Sequence, residues 1–87
     1  MGNIKTKAEL ADRIREIAAN NGNAVEVKTE GNFLAVAFRY TLERVADYFN
    51  AVKNVNSALS LVGLRLRHVG FDAEGLSVRS AYHIVHI

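Results

Sequence analysis

Cysteine, proline and tryptophan are all missing from this 87-residue chain, and it holds only three histidines and one methionine. Without cysteine there is no disulfide framework, no Cys-ligated zinc and no thiol nucleophile. The redox compartment stays open, because a cysteine-free chain suits the periplasm and the cytosol equally. Proline-rich, serine-rich and single-sign charge runs are missing too, so nothing reads as a linker. Charge of either sign is nearly balanced: 11 Lys and Arg against 9 Asp and Glu give a net +2, which permits nucleic acid as a partner without implying it. No window approaches the roughly 20 consecutive apolar residues of a membrane span, and the N-terminus lacks the basic-then-apolar order of a signal peptide. An opening Met1-Gly2 placed directly before helix-like sequence fits an expressed soluble fragment, and if the chain belongs to a membrane protein the anchor has been cut away.

What is present suits one small domain. A chain this short buries roughly 60 to 65% of its unfolded surface, enough for a two-layer core but not for a core and a deep cofactor cavity as well. Residues 1–5 read as an N-terminal tail and residues 6–87 as the domain. Thr6-Lys7-Ala8-Glu9 forms a capping box, and Leu10, Ala11, Ile14, Ile17 and Ala18 follow at helical spacing. Asn20-Asn21-Gly22 supplies left-handed C-terminal conformers, so the first helix is expected over about 6–20.

From Val25 the period changes to two, with Val25 and Val27 alternating with Glu26 and Lys28. Glu30-Gly31-Asn32 turns the chain, and Phe33 to Phe38 follows as a strand apolar on both faces. That strand is expected to be central and its partner an edge. Thr41 can cap a second helix over about 41–53, whose stripe is Leu42, Val45, Phe49 and Val52. Asn54 to Ser57 reads as its end. A strand containing Leu64-Arg65-Leu66-Arg67 comes next, then a turn from Gly70 to Gly75, then a last strand from Leu76 to Ile87.

The order αββαββ is best satisfied by an α+β two-layer sandwich, with both helices on one face of a four-stranded sheet. With ferredoxin-like connections permuted so that the first strand comes last, the spatial order is 3, 4, 2, 1, and the two apolar strands become central. The opposite face then carries Phe33, Ala35, Ala37, Arg39, Arg65, Arg67, Arg79, Ala81, His83 and Val85. This set is half apolar and rimmed by arginine, of the kind a monomer usually keeps covered. It is the expected interface. Pairing along the edge strands near Val25 to Lys28 or Leu61 to His68 is the other route to association.

No catalytic, metal or cofactor-binding residues are assigned. Ser57, Ser60, Ser77 and Ser80 sit in no nucleophile elbow, and Asp12, Glu16, Glu43 and Asp47 fall on solvated helix faces. His83 and His86, three apart in a strand, point to opposite faces; His68 and one of them meet across the hairpin with no third ligand. Gly31 to Phe38 partly matches the aromatic strand of RNA-recognition domains. Phe33 beside Arg39, Arg65, Arg67 and Arg79 would suit base stacking and phosphate contact. Against this, the chain starts with a helix, Glu30 stands where a basic residue is usual, and Ala35 and Ala37 replace the second stacking aromatic.

Leu10-Ala11 with Ile14, Ile17 and Ala18, then Asn20 to Asn23, Val25 and Val27, the run Phe33 to Phe49, Leu64-Arg65-Leu66 and the closing strand together resemble a known group. These are the periplasmic ferredoxin-like domains of inner-membrane assembly proteins, the PilO-like proteins of type IV pili and protein M of type II secretion systems. The likeness covers about residues 8 to 87. Arg39-Tyr40 stands where many members carry a glycine, and Asn54 to Ser57 where a proline often follows the second helix. The resemblance implies a non-enzymatic scaffold: the periplasmic domain of an inner-membrane protein, forming a homodimer or pairing with a homologous platform subunit. The alternative is a small nucleic-acid-binding domain, cytoplasmic, using the arginine face; a third is a regulatory subunit of an enzyme. On the scaffold reading, Phe33→Glu or Val85→Glu alters association, whereas Arg65→Glu with Arg67→Glu matters mainly for nucleic acid. The stripe and alternation also predict that Phe49→Ala or Leu66→Ala costs on the order of 2 to 5 kcal/mol.

Overall fold

The first helix, α1 (Lys7–Asn20), buries Leu10, Ala11, Ile14, Ile17 and Ala18, the residues that recur at helical spacing. The computed structural model describes residues 7–31 and 33–87, and the side chains of all of these except Lys7, Ala8, Glu30 and Phe33; Thr6, the expected cap, lies outside them. At the other end of α1 the Asn23 amide donates to the Ala18 carbonyl (2.9 Å) and the Gly22 amide to the Ala19 carbonyl (3.0 Å). This nested pair closes the helix around Gly22, whose φ of +72° favours glycine. A Cβ at Gly22 would also meet the Arg44 guanidinium at 2.7 Å. The Asn54 side chain donates to Asn21 Oδ1 at 3.2 Å and ties this corner to the second helix.

Strand β1 (Ala24–Glu30) pairs antiparallel with β2 (Phe33–Thr41), Val25 opposite Phe38 and Val27 opposite Val36. A short 3-10 turn (Leu42–Arg44) leads into α2 (Val45–Ser60), and β3 (Leu64–Glu74) and β4 (Ser77–His86) complete the chain. The sheet order is β1-β2-β4-β3 and every pairing is antiparallel. The two apolar strands, β2 and β4, are therefore central, as the sequence predicts. Leu34, Val36 and Phe38 of β2 and Tyr82 and Ile84 of β4 meet Ile14, Ile17 and Ala18 of α1 and Tyr48, Ala51, Val55 and Leu59 of α2 in one core. Both helices occupy that face of the sheet.

Two expectations are corrected. The second helix does not end at Asn54 to Ser57; it runs to Ser60. No proline or glycine interrupts that stretch, and continuing the helix buries Val55 and Leu59 completely. The buried face of α2 is accordingly Tyr48, Ala51, Val55 and Leu59, not the stripe through Leu42 and Phe49, and Phe49 is 62% exposed. The buried face is turned by about one residue from the expected stripe: Tyr48 is buried with its hydroxyl bonded to that of Tyr82, while Val45 and Val52 pack only partly against the core. Leu66, by contrast, is buried as expected.

The second correction concerns Gly70 to Gly75, which is not a loop. Strand β3 continues through it to Glu74, with a bulge between His68 and Gly70, and the turn is confined to Gly75-Leu76. A bulge inserts one unpaired residue, here Val69, so the hydrophobic alternation changes phase there while the ladder resumes.

Candidate interaction surface

Cross-strand partners share a face of a sheet, so the register builds the open surface row by row. Arg39 lies opposite Arg79, Ala37 opposite Ala81, Ala35 opposite His83, and β3 adds Arg67 beside His83 and Arg65 beside Val85. The sequence-predicted set is thus brought together on the face away from the helices; the Phe33 side chain falls outside the described residues. Its apolar content is smaller than alternation implies. Ala37 is only 4% exposed and floors a shallow groove of about 190 Å³, walled by Glu26, Lys28, Arg79 and His83. Arg39 is engaged with Glu26 across the strands at 2.5 Å. Lys28, Arg65, Arg67 and Arg79 have no ion-pair partner among the described residues.

Exposed Val69 of β3 also lines this groove. Phe49 of α2, Phe71 of β3, Leu42 and Leu76 are exposed outside it, and the Leu42 amide donates to the Leu76 carbonyl at 3.0 Å. Phe71 is 66% exposed on the outermost strand. The sequence reading left both rings out of the surface, because it assigned Phe71 to a turn and Phe49 to the core. The available signal was the pair Phe71-Asp72 continuing the alternation after Gly70.

The remaining polar clusters are structural. A nest of aromatic rings lies between α2 and the sheet, where the Phe38 ring meets Tyr48 at 5.9 Å and Tyr82 at 5.7 Å, both edge to face. Tyr40 stacks on Tyr48 at 4.0 Å, and its hydroxyl bonds the hydroxyl of buried Ser80 at 3.4 Å. The Tyr48 and Tyr82 hydroxyls bond each other. Burial, reinforced by the bond to Tyr48, pushes the Tyr82 phenol well above its ordinary value of 10.0. A phenol raised in the folded state stabilises the fold fully below pH 10, and that contribution is lost as pH climbs, because the unfolded chain releases the proton first. The slope from one such group is at most about 1.4 kcal/mol per pH unit. Tyr82→Phe is expected to flatten the fall in denaturant midpoint between pH 9 and 11 (roughly one unit either side of the ordinary phenol value); an unchanged slope would remove Tyr82 as its source.

Among the described residues no group of three or more His, Cys, Asp and Glu could hold a metal ion. His68 lies on the helix face with its ring 5.0 Å from that of Tyr82, and His83 lies on the other face. A cavity of about 730 Å³ opens at the end of the sheet between Gly22 to Ala24, Arg39 to Thr41 and Ser77 to Arg79. Two of its three arginines are paired, Arg39 with Glu26 and Arg44 with Asp47. Asp12 and Glu16 pair with Arg15 and Arg13 on the outside of α1, as a solvated helix face does. No described helix is long and apolar enough to cross a membrane.

The αββαββ order and the β1-β2-β4-β3 sheet define a circularly permuted ferredoxin-like sandwich. Among solved structures, the crystal structure of the periplasmic domain of XcpY, in its oP crystal form, has the same fold. It aligns over 87% of this chain and 95% of that one, with a TM-score of 0.55 and 16% identity. No protein-family model matches the chain, and no curated protein matches it in sequence.

Proposed function

We propose that the chain is a non-enzymatic interaction domain of a secretion or type IV pilus assembly platform, acting in the periplasm by associating with itself or with a homologous subunit. The observation that carries the reading is the outer strand β3, eleven residues long, at the edge of the sheet and carrying exposed Val69 and Phe71. A long edge strand with apolar neighbours is a template for strand addition, which a monomer ordinarily blunts. The sequence resemblance to periplasmic platform domains and the fold shared with the periplasmic domain of XcpY support the same reading. A scaffold of this kind works by contact, so it requires no convergent acid–base pair and no cofactor cavity.

The second reading, nucleic-acid binding, draws on Lys28, Arg65, Arg67 and Arg79, which have no ion-pair partner among the described residues. Sedimentation equilibrium over a concentration series, with and without a short oligonucleotide at moderate salt, separates the two. A mass that rises with protein concentration and ignores the oligonucleotide is the expected result. A monomer whose mass rises only when the oligonucleotide is added would replace the scaffold reading with the second.

A further inference from the structure

The two edges of the sheet are not equally available. On β1 the Arg15 guanidinium reaches over from α1 to the Val27 carbonyl at 3.4 Å, and Glu26 is held by Arg39. On β3 the Leu66 amide is taken by Asn56 Oδ1 at 2.8 Å, which leaves the stretch from Arg67 to Glu74 open. Its charge is divided by the bulge: Arg65 and Arg67 precede it, Asp72 and Glu74 follow it. In a regular strand Arg67 and Asp72, five positions apart, would point to opposite faces. The bulge shifts the phase, so the register puts Arg67 beside His83 and Asp72 beside Arg79, all on the open face.

We infer that β3 is a homotypic docking edge: β3 of a second copy of this chain adds antiparallel to it about a two-fold axis at Val69/Gly70, making one continuous eight-stranded sheet. The inference rests on the self-association proposed above and names its surface. Around that axis Arg67 of each copy stands opposite Asp72 of the other, and Arg65 opposite Glu74, each pair on one face of the joined sheet. Backbone direction agrees. Because the Leu66 amide points away from β4, alternation along an antiparallel ladder aims the groups of Leu66, His68, Phe71 and Ala73 outward. The same register sets His68 against Phe71, so outward-facing groups meet outward-facing groups there, while opposite Ala73 the Leu66 amide stays with Asn56 and leaves its carbonyl to pair. Exposed Phe71 is covered in the process. A regular strand carrying these charges could meet one of the two conditions; the bulge lets β3 meet both. The contact is isologous, so each favourable pair occurs twice.

The test uses charge reversal and mixing. Arg67→Glu and Asp72→Arg each place like charges across the axis twice, and each is expected to weaken the dimer by roughly tenfold or more. An equimolar mixture of the two variants restores opposite charges on both sides and is expected to dimerise like the wild type, as a heterodimer visible by native mass spectrometry. Arg65→Glu with Glu74→Arg repeats the test at positions whose cross-strand neighbours, Val85 and Ser77, are uncharged. Melting curves matching the wild type assign any loss to association. Single variants that dimerise as tightly as the wild type, or a mixture that stays monomeric, would overturn the edge while leaving self-association standing. A wild type that is monomeric at every concentration would overturn self-association itself.

Discussion

Replacing Phe38 with alanine is expected to remove about 3–5 kcal/mol of folding stability. The side chain is 0% exposed on a central strand, and its ring is the hub on which Tyr48 of α2 and Tyr82 of β4 both stand edge to face. Truncation removes the buried apolar area, leaves a cavity that the strands on either side cannot collapse into, and takes away two ring contacts at once. Domains of this size have about 5–15 kcal/mol to lose, so the variant should retain little of its native population margin. Its midpoint of thermal unfolding should fall by roughly 12 °C or more. A shift of only a few degrees would show that Phe38 does not organise this core.

The second large effect distinguishes the observed α2 from the expected one. Leu59→Ala is expected to cost about 2–5 kcal/mol, because Leu59 is 1% exposed in the part of the helix beyond Lys53 that packs on the sheet. Phe49→Ala, for which the sequence stripe implied a similar cost, should cost well under half as much, because its ring is mostly in water and loses chiefly a tilted contact with Tyr48 at 5.3 Å. Paired urea titrations of the two variants make the comparison directly. Equal losses would mean that the helix is rotated from the position described here.

These two residues also show what was legible beforehand. The sheet order followed from ferredoxin-like connections with the first strand moved to the end, and the apolar character of β2 and β4 agreed with the central places this gave them. The C-terminal closure of α1 followed from Asn21-Gly22, where one glycine permits the positive φ. The rotation of α2 did not, because Tyr48 is buried by bonding its hydroxyl to Tyr82, a partner 34 positions away that no local pattern contains. Nor did its end: Asn54 and Asn56 look like helix breakers, yet both spend their side chains on tertiary bonds, to Asn21 and to the Leu66 amide.

The candidate surface divides the same way. The face shared by Ala35, Ala37, Arg39, Arg79, Ala81, His83 and Val85 is a matter of period two and was readable. That β3 extends past Gly70, and that Arg67 and Asp72 therefore share a face, depends on one unpaired residue at Val69, which shifts the phase without any change in composition. Charge asymmetry along β3 carries no meaning until that phase is known.

The most direct test of the claim that this chain associates through β3 is amide hydrogen exchange by NMR across a dilution series. The expected result is protection between Arg67 and Glu74 that grows with protein concentration, while the amides of β1 exchange at a constant rate. Protection in β3 that is independent of concentration, or concentration dependence confined to β1, would contradict the account.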